Sequence, residues 1–160
     1  MAGKAPDDRS TEGTVAESAD RLVAAARAAA KLARQVTIPL VDLDLSLPQY
    51  RVRAFLDAGG TNPSELADRL SVSRPSITAL MEGLSDRGWV ERERDPNDGR
   101  RVVHHLSDEG RSILTAADAA VGARLERIGR HVNAGDPTPL IDNLGRLGEA
   151  IRAARAAGTT

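Results

Sequence analysis

A mainly α-helical fold with one small β-hairpin follows from three features of this sequence. Apolar residues recur every three or four positions over most of its length. One stretch, Trp89 to Leu106, alternates instead and is interrupted by a cluster of turn residues. Ser, Asn, Gly and Pro stand where helices start and stop, which divides the helical pattern into two short central helices and longer flanking ones.

The totals narrow what such a fold can do. A chain of 160 residues fits one domain or a compact core with arms. The net charge is −1, so any basic surface must come from sorted charges rather than from their sum. There is no cysteine, which removes thiol catalysis, disulfides, thiolate metal sites and thiol oxidation as a trigger. No apolar run approaches the roughly 18 residues of a membrane helix. The polar, acidic opening has no signal-peptide core. A cytoplasmic protein with no membrane partner is expected.

Residues 1–14 lack apolar periodicity and are expected to form a disordered tail. A first helix is predicted from Val15 to about Val36, with Leu22, Ala26, Ala29 and Ala33 on one face. Pro39 is expected to end it or to fall in the link that follows, within a segment 15–44. Ser46 caps a second helix, with Pro48 in its first turn and Val52, Phe55 and Leu56 facing inward. Gly59 and Gly60 stop it.

Asn62-Pro63-Ser64-Glu65 has the form of a capping box and opens a third helix with Leu66, Ala67 and Leu70 inside. Ser71 and Val72 turn the chain, and Ser73 caps a fourth helix whose inner positions are Ile77, Leu80 and Leu84, stopped at Gly88. Two short capped helices joined by about three residues are a helix-turn-helix unit. The outer face of its second helix offers Arg74, Ser76, Thr78, Ala79 and Glu82. Small hydroxyl residues near a helix N-terminus suit approach to phosphates and base edges, and Arg74 suits guanine or phosphate. A capped surface helix would carry the same residues, so this helix alone leaves both readings open.

In Trp89 to Arg94 the alternation sets Arg92 and Arg94 with Val90, and Glu91 with Glu93 on the other side. Asp95 to Gly99 is the turn, and Arg101 to Leu106 the return strand. A helix-turn-helix followed at once by such a ribbon is a winged helix, here spanning 45–106. Arg100 and Arg101 at its tip suit a minor groove, with Asp98 bracing one of them. Residues 86–101 hold five arginines and five carboxylates, so the patch is mixed in sign.

Ser107 caps a long helix through Leu114, Ala117, Val121, Leu125, Ile128 and Val132. The run from Ala134 to Pro139 breaks it, and a last helix from about Thr138 to Ala156 repeats Leu140, Leu144, Leu147, Ile151 and Ala154 in a heptad-like seam. The terminal helices, the last within a segment 107–160, thus carry apolar seams larger than the central module covers. Pairing of two chains through them is expected; packing of the first and last helices within one chain is the alternative.

From Leu45 to Leu114 the sequence resembles the MarR family of winged helix-turn-helix transcriptional regulators. The resemblance rests on Leu47 to Val52, Ser64 to Ala67, Leu70 to Ser73, Ile77-Thr78, Leu84, Arg87-Gly88 and Val90 to Arg92. Its most specific part is Asp95 to Arg100, followed by Leu106-Ser107 and Gly110-Arg111. It implies a homodimer built by the N- and C-terminal helices, binding double-stranded DNA at a near-palindromic site, most often as a repressor. The residues expected at DNA are Ser64, Ser73, Arg74, Pro75, Ser76, Thr78, Ala79, Arg87, Arg92, Arg94, Asp98, Arg100 and Arg101. Ala79 and Gly83 stand where relatives often carry basic or bulkier residues. The resemblance also implies a small aromatic or anionic effector, for which Tyr50 and Arg53 are candidates, although helix packing for the first and a solvated charge for the second are the plainer roles.

No acid pair, Ser/His/Asp arrangement or phosphate loop occurs, so no enzyme and no cofactor are expected. His104 and His105 point to opposite faces of a strand and make a poor metal pair; His131 is isolated. The rival function is a winged helix used as a protein-interaction module without DNA binding.

Overall fold

The computed structural model describes residues 8–59, 63–70, 72–95 and 102–158. Its order is α1 (Asp8–Val41), α2 (Leu47–Asp57), α3 (Pro63–Leu70), α4 (Arg74–Asp86), β1 (Val90–Arg94), β2 (Val102–Leu106), α5 (Asp108–Gly129) and α6 (Thr138–Ala156). The mainly helical class with one antiparallel hairpin is therefore observed. The chain divides into two units, Met1–Gln35 and Val36–Thr160.

In the first unit α1 begins at Asp8, inside the stretch expected to be a tail. From Glu17 to Lys31 its side chains are exposed, Leu22 and Val23 among them. A surface ion pair, Arg21 to Glu17 at 2.5 Å, spans one turn.

In the second unit the helix continues through Pro39 to Val41, so Pro39 neither ends it nor lies in a link. Having no N–H, Pro39 leaves one i→i−4 hydrogen bond of α1 unmade, a local cost that the helix carries. The chain then turns tightly, Leu45 N–H and Leu43 N–H both donating to the Leu40 carbonyl, with Asp44 at φ +50°. Ser46 caps α2 in a reciprocal box with Gln49, whose side chain accepts from the Ser46 N–H at 2.9 Å. Ser73 caps α4 through the Ser76 N–H.

The core draws on every element from the end of α1 to α5: Leu40, Leu45, Val52, Phe55, Leu56, Leu66, Ala67, Ile77, Leu84, Trp89, Val90, Leu106, Leu114, Ala117 and Val121. Met81 joins it from α4, a position the three-and-four spacing of Ile77, Leu80 and Leu84 had passed over. Leu70 and Leu80 pack against the core while partly exposed.

Gly88 takes φ +72° and turns the chain from α4 into β1, a conformation that L side chains resist. The ribbon pairs Val90 with Leu106, Arg92 with His104 and Arg94 with Val102. Ser107 ties the ribbon to α5, its hydroxyl accepting from the Gly110 N–H at 3.0 Å and donating to the Gly88 carbonyl at 2.6 Å. α5 ends at Gly129, so Val132, expected on its inner face, is exposed beyond it. α6 packs on α5 but buries none of its side chains fully.

Candidate nucleic-acid interface

The outer face of α4 forms because its inner face is committed. Ile77, Met81 and Leu84 are buried, which leaves Arg74, Pro75, Ser76, Thr78, Ala79 and Glu82 exposed. Two of its hydroxyls are held locally. The Ser73 and Ser76 oxygens lie 2.8 Å apart, and the Thr78 hydroxyl donates to the Arg74 carbonyl at 3.1 Å. Ser76 keeps acceptor capacity at the helix start, where the dipole favours an anion. Ser64, in the first turn of α3, is partly buried.

On the ribbon, Arg92 and Arg94 are exposed and share a face with Val90, while Glu91 lies on the other and meets His105 Nε2 at 3.1 Å. The ribbon face runs from the buried pair Val90 and Leu106 at its root to Arg94 and the half-exposed Val102 at its outer end. Asp98, Arg100 and Arg101 lie outside the described residues, as do Asn62 and Ser71.

Arg87 stands apart from this set. At the C-cap of α4 it donates to the Asp44 carbonyl at 2.9 Å, forms an ion pair with the Asp44 carboxylate and lies 4.6 Å over the Trp89 ring. It ties the wing root to the turn after α1, and its donors are turned to the protein itself.

The two effector candidates sit differently from each other, Tyr50 in the helix packing that was its plainer role and Arg53 away from solvent. The Tyr50 hydroxyl donates to Asp118 Oδ1 at 2.5 Å, joining α2 to α5. Burial, then this bond, holds its phenol well above the ordinary value. Arg53 is no solvated charge. It is 0 % exposed, and its guanidinium lies 3.9 Å over the Trp89 ring. Burial, and next the neighbouring Arg87 charge, push it down to about 10, while Glu109 acts the other way. Helical spacing puts position 53 at the edge of the stripe, beside Leu56, so pattern alone had marked its neighbours but not Arg53 itself. Among the described residues no group of three or more His, Cys, Asp or Glu is placed to hold a metal, and no helix is long and apolar enough to cross a membrane.

Comparison with known proteins fits this arrangement. A family model described as MarR family matches residues 43–101. An uncharacterized HTH-type transcriptional regulator of Mycobacterium leprae is 36% identical over 91 residues, 56% of this chain and 64% of the relative. The chain thus spans a little under two thirds of the length of that curated relative. The crystal structure of wild-type MarR from E. coli, in its apo form, superposes with a TM-score of 0.66 at 27% identity, covering 80% of this chain and 94% of that one. A point mutant of the same protein complexed with operator DNA gives 0.58 at 27% identity, over 80% and 91%. A MarR family protein of Mycobacterium tuberculosis in complex with salicylic acid gives 0.62 at 28% identity, over 78% and 90%. Through its central winged helix and the helices on either side, this chain is similar to proteins of the MarR family.

Proposed function

We propose that this chain is a sequence-specific, double-stranded-DNA-binding transcription regulator, acting in the cytoplasm as a homodimer on a near-palindromic operator, most often to repress. The observation that carries the reading is α4: a helix capped by Ser73, anchored by Ile77, Met81 and Leu84, that turns Arg74, Ser76 and Thr78 outward and is followed at once by a ribbon bearing Arg92 and Arg94. The operator complex of the E. coli relative supports it. The helix would enter the major groove, and the wing, with Arg100 at its tip, the neighbouring minor groove. A small aromatic or anionic effector that favours one spacing of the two winged helices would release the DNA by shifting the competent population. The salicylic acid complex of the mycobacterial relative supports that part.

The test is a gel shift and footprint on the DNA upstream of the gene for this protein. A protected two-fold site is expected. Arg100→Ala should weaken binding and reduce the slope of log affinity against log salt by about 1, as for one lost phosphate-region contact. The net charge of −1 favours a second reading, a winged helix that binds protein rather than DNA. Absence of any shift at low salt would select it.

A further inference from the structure

A helix lying in a major groove meets base edges along one row, residues i, i+3, i+4 and i+7, which turn to the same side over two turns. In α4 the row opposite Ile77, Met81 and Leu84 is Pro75, Thr78, Ala79 and Glu82, each of them exposed. At 1.5 Å per residue it is about 10 Å long, roughly the height of three base pairs.

Most of this row has little to offer a base. Pro75 and Ala79 are apolar. The Thr78 hydroxyl spends its proton on the Arg74 carbonyl, 3.1 Å away. Glu82 alone keeps its whole hydrogen-bonding capacity, with no hydrogen bond or ion pair to the chain among the described residues. Its own helix gives it no cation, since Thr78, Ala79, Ser85 and Asp86 stand three and four residues away. On a face that meets a polyanion, a carboxylate left unneutralised costs affinity unless a donor on the DNA answers it.

The approach to Glu82 is open as well. Gly83 flanks it inside α4, where glycine destabilises a helix relative to alanine. A Cβ at that position would meet nothing within 4 Å, so the packing of this chain does not demand a glycine. With Ala79 on the other side, the small residues let an outside surface come close to the helix beside the carboxylate.

We propose that Glu82 is a specificity residue, accepting a hydrogen bond from the exocyclic N4 amine of a cytosine in the major groove of each operator half-site. An ionised carboxylate can only accept. Cytosine presents a donor alone in that groove, guanine and thymine present acceptors, and the adenine amine lies beside its own N7 acceptor. Cytosine is thus the base that answers Glu82 without setting a lone pair against it. This role rests on the DNA-binding reading given above and adds a residue outside the arginine and hydroxyl set named there.

The full-length protein is used to select sites from a random double-stranded DNA library, and the selected site is then varied one base pair at a time in fluorescence-anisotropy titrations. A C·G pair placed symmetrically in both half-sites is expected. Its replacement by T·A, which puts the O4 acceptor where the N4 donor stood, should weaken wild-type binding about tenfold. Glu82→Ala should bind the two sites alike. Glu82→Gln should move the preference at this pair towards adenine, whose N6 and N7 suit an amide. Preferences at the other pairs should stay, a pattern that a purely structural role would not give, and the exposure of Glu82 keeps both variants folded. No enrichment of DNA by the wild type would overturn the DNA-binding reading and this role with it. Enrichment without a preferred C·G pair, or the same preference in wild type and both variants, overturns the role of Glu82 alone. So does a uniform gain in affinity for every sequence in both variants, which would set the carboxylate against phosphates.

Discussion

Arg53 and Tyr50 show how far a neighbourhood alters a side chain. On a helix surface both would be ordinary. Enclosed between α2, α5 and the wing root, Arg53 has a charge that burial opposes, and the Trp89 face only partly offsets it. Arg53→Leu is expected to raise the unfolding free energy by about 1 kcal/mol or more, since an apolar residue of similar volume relieves the cost of a buried, unpaired cation. Urea unfolding measures it, and a lower midpoint would mean that the cation–π stack outweighs burial. Tyr50 is shifted the opposite way in protonation terms. Its phenol is raised in the folded protein, so the bond to Asp118 contributes fully below the unfolded value of about 10 and is lost as pH rises through the folded value. As the only tyrosine, it can be followed directly by its phenolate absorbance. The midpoint should lie well above that of the unfolded chain. Asp118→Asn should lower it only in part, because burial is the larger cause.

At the scale of elements, the junction between wing and α5 is the most constrained. The Trp89 carbonyl accepts the Ser107 N–H at 3.2 Å and also lies where a side chain on residue 110 would go. A Cβ on Gly110 would stand 2.0 Å from that carbonyl oxygen, so backbone would have to move. Gly110→Ala should cost at least about 1–3 kcal/mol and loosen the ribbon from α5, visible as a lower thermal midpoint. The glycine is there for close approach rather than for a turn, since it sits inside the first turn of α5. Ser107 carries both bonds of the same joint, to the Gly110 N–H and the Gly88 carbonyl. It therefore sets the angle at which β2 enters α5, a role beyond the capping that its position announces.

For the whole molecule, assembly turns on what covers α6. Leu147 is 53% exposed and Ile151 43%, although their heptad spacing is that of a packed seam. In the second unit α5 covers only part of α6, and in the first unit Leu22 and Val23 are exposed too. The pairing of two chains proposed above would cover such exposed apolar residues. Leu147→Glu with Ile151→Glu should convert a dimer to a monomer in sedimentation and weaken operator binding, since two half-sites would no longer be held together. A double variant that sediments as the wild type would remove α6 from the interface.

Sequence by itself determined the order of elements, the winged helix and the exposed face of α4. Those follow from local rules: Ser46, Ser73 and Ser107 cap where free N–H groups need an acceptor, Gly88 turns where φ must be positive, and apolar spacing sorts each helix into two faces. Helix limits were less legible, because α1 runs on through Pro39 and starts at Asp8, where apolar periodicity does not announce it. The fates of Arg53, Arg87 and Gly110 were settled only by tertiary structure. Each depends on Trp89, which lies 36 residues from the first, two from the second and 21 from the third, and no local pattern encodes which side chains meet across the core. Charge and conformation are sorted by neighbours in space, and those neighbours exist only once the chain has packed.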